Sequence, residues 1–274
     1  MPATMREAVE TYLGWWDEAG VSDFTGEAAC DWFALEARPK AAAPVATTAR
    51  VNLQRAAPPV QSQPVASPRA PLRPPTPVDA AARQLVAGAR TLDELFALLQ
   101  GFDGCNLRVT AKNLCFYRGA ARSRVMLIGE APGRDEDLAG KPFVGRAGQL
   151  LDKMLASIGL DESKVHIANT VYWRPPGNRN PTPEETLACA PFLARQMELV
   201  DPELIVLLGG VAAKTMLGVE EGITRLRGKW RSLPIGGREV KTLATWHPAY
   251  LLRTPAAKRQ AWQDLLMLEA ALQI

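Results

Sequence analysis

Short apolar runs alternate along this chain with stretches of helical period, and glycine or proline separates most of them. Strand candidates fall at 124–128, 165–172, 204–208 and 239–245. Their nearly unbroken apolar character is what parallel strands covered on both faces require. Helical patterning occupies about 79–100, 146–159, 183–199, 210–217 and 256–272. In the second of these, Leu150, Leu151, Met154, Leu155 and Ile158 share one face. Thr91 reads as the N-cap of a helix over 92–99. Thr182-Pro183-Glu184-Glu185 opens another, with a capping hydroxyl, proline at the first position and acids in the first turn. The alternation predicts an α/β fold, a three-layer α/β/α sandwich around a central four-stranded parallel sheet. This pattern covers 81–274, ample for one core.

Two segments precede it. Residues 1–37 look helical and partly amphipathic, with Val9, Leu13 and Trp16 on one side and Trp15 beside them. They either pack on the main domain or dock a protein partner, and packing is the preferred reading because buried aromatics are mostly structural. Residues 38–80 carry ten of the 22 prolines and almost no aromatic residue, the composition of a disordered linker. Its Arg50, Arg55, Arg69 and Arg73 could touch an anion, but a semi-extended spacer explains the segment as well or better.

Charge adds one inference. Residues 1–37 hold one arginine and eight acids, a net of −7, while the whole chain carries +3 and the remainder therefore +10. An acidic head on a basic body suggests that the body meets something anionic. No apolar run approaches the length that spans a bilayer and no secretory signal is visible, so a soluble, cytoplasmic protein is expected. Four widely spaced cysteines suggest no disulfide framework.

The candidate chemistry gathers at the carboxyl edge of the predicted sheet, where open α/β sheets bind ligands. Gly129, Pro132, Gly133 and Gly140 make 129–143 a loop there, and it carries Asp135, Glu136 and Asp137. Alone, that triplet reads more readily as a solvated turn capping the next helix than as a ligand site. Asn169, near the exit of an apolar strand, needs a partner, since an unpaired buried polar group costs about 1–3 kcal/mol. The loop 172–183 bears Arg174, Asn178 and Arg179, and serves equally well as a connector or a phosphate contact. Gly209-Gly210 offers free amides for a phosphate, although close packing explains it as well. His247 follows the last strand and lies on the same edge; His166, the only other histidine, begins a strand and reads as structural.

Five motifs occur in order: Gly129-Glu130-Ala131-Pro132-Gly133, Lys141-Pro142-Phe143-Val144-Gly145, Ala168-Asn169-Thr170-Val171, Trp173-Arg174-Pro175-Pro176-Gly177-Asn178-Arg179 and His247-Pro248-Ala249. Together they resemble the uracil-DNA glycosylases of the iron–sulfur type, family 4, over about residues 100–273. The resemblance implies hydrolysis of the N-glycosidic bond of deoxyuridine in DNA by a monomer, leaving an abasic site. It implies that Asn169 reads the edge of an extruded uracil, that Phe143 stacks on it, and that the backbone near Glu130 and Ala131 lines the pocket. His247 would stabilise the departing uracil anion, and Glu136, with Asp135 as second choice, would position water and support the sugar cation. Arg174, Asn178, Arg179, Gly210 and Arg253 would contact DNA, and Leu251 would be the apolar wedge entering the duplex, with Tyr250 assisting.

One departure from the resemblance concerns the cluster. Family 4 holds a [4Fe–4S] group on four cysteines, of which Cys105 matches the first and Cys189 the fourth. Asn106-Leu107-Arg108 stands where the second is expected and Trp173 where the third is. A cluster normally takes four thiolates, so this chain is expected to have lost it and to bind no metal. A nonstandard site would need Cys115 and Cys189 to meet. Two readings from other classes compete: a catalytically weak lesion-binding or scaffold protein recruiting partners through residues 1–80, and magnesium-dependent phosphoester chemistry on Asp135, Glu136 and Asp137. Retention of Glu136, Asn169 and His247 together favours the glycosylase. With no second histidine on an inserted basic loop, turnover is expected rather than a stable crosslink to DNA.

Overall fold

Residues 77–272 are described in a computed structural model of the chain. The acidic segment 1–37 and all but the last residues of the predicted linker lie outside them. The four predicted strands are present as β2 (Val125–Gly129), β3 (Val165–Asn169), β4 (Leu204–Leu208) and β6 (Arg238–Thr245). They run parallel in the order β3-β2-β4-β6. Every residue of β2, β3 and β4 is buried, because each strand has a neighbour on both sides and a helical layer on both faces.

Side-chain alternation divides the interior into two cores. Met126 and Ile128 of β2 join Ile205 and Leu207 of β4 on one face. Val125 and Leu127 join Val206 and Leu208 on the other. The first core is covered by α1 (Pro77–Ala87), α2 (Leu92–Gly101) and α6 (Pro183–Val200). The second is covered by α5 (Arg146–Ala156) and α10 (Lys258–Leu272). This is the expected α/β/α sandwich.

Four details differ from the sequence reading. The helical stretch 79–100 is broken at 88–91, where the Thr91 hydroxyl accepts from the Glu94 amide and the Glu94 carboxylate accepts from the Arg90 amide. The loop 129–143 contains a helix, α4 (Arg134–Ala139), with the three acids in its first turn and Gly140 in the left-handed conformation that ends it. The strand expected over 165–172 stops at Asn169. The parallel sheet also gains an antiparallel strand on each edge, β1 (Arg118–Gly119) beside β3 and β5 (Trp230–Ile235) beside β6. Gly236 and Gly237, both at positive φ, turn β5 into β6, as a tight hairpin demands.

Register fixes where the site forms. Gly129 pairs with Asn169, and Leu208 pairs with Thr245. The carboxyl ends of all four parallel strands therefore lie along one edge, and the loops and short helices α7 (Gly210–Leu217) and α9 (Pro248–Arg253) leave from it.

Candidate active site

At that edge a cavity of about 420 Å³ opens between the segment after β2, the loop after β3 and the start of α9. Glu130, Glu136, Phe143, Asn169 and His247 all line it, as do Asn178, Arg179 and Arg253 from the rim. Ala131 lines it too, with Pro132 and Gly133 beside it.

Gly129, at the end of β2, lets two of these lining side chains come together. A Cβ there would lie 2.5 Å from both the Asn169 Oδ1 and the Phe143 Cζ, so only glycine lets the amide and the ring approach each other. Phe143 itself sits at φ 55°, a conformation rare for a side chain of that size. Its carbonyl packs against Gly148, where no Cβ would fit. The ring stacks beside the His247 imidazole, centroids 5.6 Å apart and planes 29° from parallel.

Asn169 is 1% exposed, and its Oδ1 has no hydrogen-bond partner. A buried acceptor without a partner is uncommon and points to a ligand donor. The strand exit that carries it is pinned twice: the Thr170 amide donates to the Gly129 carbonyl and the Thr170 hydroxyl to the Glu130 carbonyl, at 2.9 and 2.6 Å. The Glu130 carboxyl stands above the usual carboxylate range because it is desolvated.

His247 is the N-cap of α9, and its Nδ1 accepts from the Ala249 amide at 3.1 Å. An Nδ1 that accepts leaves the proton of the neutral ring on Nε2. Burial, and then the charge of Arg253, push the ring down to about 4, so it is neutral at physiological pH. Gly209 lies beneath it at φ 93°, and a Cβ there would come within 2.9 Å of the His247 Cβ. Close packing thus explains Gly209, and Gly210 opens α7 without lining the cavity.

The three acids part company. The Glu136 carboxylate accepts from the amides of Gly133, Val144 and Gly145 at 3.1, 3.1 and 2.9 Å, clasping both ends of the loop while facing the cavity. Asp137 is buried, accepts from the Lys112 and Asn113 amides and lies 3.9 Å from Arg174. Asp135 is exposed and does not line the cavity. Among the described residues no three His, Cys, Asp or Glu side chains converge as a metal site.

On the rim, Arg179 forks onto Glu185 at 2.8 and 2.6 Å; Arg174 does not line the cavity and donates to the Asn178 Oδ1 at 2.7 Å. Leu251 is a correction. It is 0% exposed in the second core and is in no position to enter a duplex, whereas Leu252 is 39% exposed and Tyr250 lines the cavity. Four residues beyond His247 is one turn of α9, and that position faces inward.

Residues the sequence did not single out also build the site. The Asp264 carboxylate, buried on α10, takes both the Arg227 guanidinium and the Thr245 hydroxyl. Gln260 accepts from the Trp246 indole at 2.9 Å. Together they fix the two residues before His247. No local signal in the sequence links positions so far apart. The Cys115 thiol donates to the Glu136 carbonyl at 3.1 Å, so it buttresses α4 and does not meet Cys189.

The sulfur that meets Cys189 is that of Cys105, 4.0 Å away. Both are buried in the same apolar cluster as Leu107 and Trp173. Cys189 donates to Cys105, which holds the Cys105 thiol below its usual range and the Cys189 thiol above it. Two thiols in mutual contact within an apolar core do not fit a four-thiolate cluster. Cys30 lies outside the described residues.

Comparison with known proteins bears on the same residues. The model of the uracil DNA glycosylase superfamily matches residues 116–266. The chain is 40% identical over 178 residues to a type-4 uracil-DNA glycosylase of Archaeoglobus fulgidus, covering 64% of this chain and 89% of that protein. It is 39% identical over 180 residues to one of Pyrobaculum aerophilum, covering 64% and 92%. With one of Thermotoga maritima it shares 42% over 153 residues, covering 54% and 77%. The chain therefore belongs to the uracil DNA glycosylase superfamily and is a relative of its type-4 members.

Proposed function

We propose that this chain hydrolyses the N-glycosidic bond of deoxyuridine in DNA, taking the nucleotide out of the stack and leaving an abasic site for base-excision repair. The observation that carries the reading is the orphaned Asn169 Oδ1 in the wall of a cavity it shares with a neutral imidazole and a phenyl ring. The amide oxygen accepts from uracil N3–H and the amide nitrogen donates to O4. Cytosine presents the reverse pattern and is refused. Phe143 supplies the flat platform for the base.

Bond cleavage puts negative charge on the departing uracil and positive charge on the sugar. The Nε2–H of His247 donates to uracil O2 as that charge grows. Because the ring is already neutral, it gives up no proton to do so. Glu136 uses three of its roughly four lone-pair positions on backbone amides. The one left holds the attacking water, and the fixed charge supports the sugar cation. Asp135, exposed outside the cavity, has no direct part. Tyr250 and Leu252, rather than the buried Leu251, fill the gap left in the duplex. The enzyme works as a cytoplasmic monomer without an iron–sulfur cluster, a reading supported by the buried Cys105–Cys189 contact.

The test is incubation of the full chain with a uracil-containing oligonucleotide in EDTA, followed by alkaline cleavage of abasic sites. Product in EDTA is expected, none with a cytosine control. Binding without product would favour the scaffold reading, and product only with magnesium would favour a metal hydrolase.

A further inference from the structure

The first core contains two thiols that the chemistry above does not use. Cys105 lies between α2 and α3 (Leu107–Thr110), and Cys189 lies inside α6, 84 residues later. They are 2% and 0% exposed, with sulfurs 4.0 Å apart. Phe102 on the Cys105 side packs on Phe192 of α6, ring centroids 4.8 Å apart, so the two backbones are already held together at this point. The remaining gap to a disulfide bond is about 2 Å, within reach of side-chain rotation.

Access comes from the α3 side. That helix has only four residues, its N-cap Asn106 makes no side-chain capping bond, and Val109 on it is 86% exposed. So short and uncapped an element opens locally at low cost, and Cys105 is the residue immediately before its cap.

We infer that Cys105 and Cys189 are a reversible redox pair, closing under a hydroperoxide to a disulfide that ties the α2–α3 turn to α6. The Cys105 thiolate attacks the peroxide, the O–O bond breaks, and a sulfenic acid and hydroxide result. The Cys189 sulfur then displaces the sulfenyl oxygen as water, using its own proton. Two thiols lose two electrons and the peroxide gains them. The pair is independent of the glycosylase reading, since neither sulfur lines the cavity.

The test treats the reduced full chain with stepwise hydrogen peroxide, blocks free thiols under denaturing conditions and maps the peptides. The expected result is a Cys105–Cys189 linked peptide that dithiothreitol reverses, with Cys30 and Cys115 still free to alkylate. The oxidised protein should melt about 5 °C or more above the reduced one, because a cross-link across so long a loop restricts the unfolded chain. C105S and C189S should each remove both effects. Oxidation of Cys115 at the same or a faster rate, irreversible sulfinic acid at Cys105, an unchanged melting point with the linkage formed, or bound iron absorbing near 400 nm would overturn the inference. The peptide map on the unaltered chain stands even if a serine variant does not fold.

Discussion

Asn169 is costly to the folded protein and needed only when a ligand is present. Its Oδ1 is buried with no partner, so truncation removes an unsatisfied acceptor rather than a bond. Asn169→Ala should therefore leave thermal stability unchanged or slightly raised while uracil excision falls by about 10²-fold or more, the scale expected for loss of a preorganised polar contact. A melting curve beside a single-turnover assay separates the two, and parallel loss of both would mean the amide is merely structural. His247 leads to a second expectation. With its ring pushed down to about 4, it stays neutral through the pH range where a free imidazole titrates. The kcat/KM profile should show no inflection near 6.5 assignable to His247, and a limb at that pH that disappears in His247→Asn would refute the neutral-donor role. Both residues were legible in the sequence as polar groups stranded at strand exits. The tautomer of His247 was not, because the amide that sets it belongs to the turn of α9. Nor was the inward orientation of Leu251, since spacing from His247 gives a helical position without saying which way that helix faces.

The elements divide by what surrounds them. The four central strands could be read from sequence because a strand with neighbours on both edges and helices on both faces has no choice but to be apolar. Edge strands lack that constraint. β5 is Trp-Arg-Ser-Leu-Pro-Ile, with only Leu233 and Ile235 buried, and its proline is acceptable only at an edge. Its one clear signal was the Gly236-Gly237 turn. The acidic triplet was ambiguous for a similar reason: three acids in the first turn of α4 suit a helix N-terminus whether or not one of them reaches a cavity. The clamp of α10 on the end of β6 was invisible, being made from positions 227, 245 and 264. Its removal should be felt at His247. Asp264→Ala strands the Arg227 guanidinium in a largely buried setting, and breaking such a pair costs about 3–5 kcal/mol. Arg227→Met with Asp264→Leu removes both charges and should recover much of that stability, measured by urea unfolding, while activity stays low because Thr245, two residues before His247, remains less fixed. Full recovery of activity in the double variant would show that the clamp does not position His247.

Across the whole molecule, one buried chain of hydrogen bonds joins the edge of the sheet to the loop that follows Asn169. The His166 Nδ1–H donates to the Ala120 carbonyl at 2.7 Å, its Nε2 accepts from Gln196 at 2.9 Å, and the Gln196 carbonyl accepts from the Tyr172 hydroxyl at 2.8 Å. This network needs a neutral imidazole, and burial pushes His166 down to about 4. The unfolded chain takes up the proton near 6.5. Between those values the unfolded state binds more protons than the folded one, so stability is lost as pH falls through the window, by up to roughly 3 kcal/mol for this residue. His247 acts in the same direction. Glu130 and Asp264, held above the ordinary carboxylate range by burial, act oppositely, since the folded state takes up their protons first on acidification. The contribution of His166 is therefore isolated by difference. Urea unfolding of the native chain and of His166→Gln, at pH 7 and at pH 4.5, should show the native chain losing more stability on acidification, by about 2–3 kcal/mol. Equal losses would mean that His166 is protonated within the fold. In that case the Gln196 amide, which must donate to its Nε2, would have to turn its oxygen toward the ring and release Tyr172.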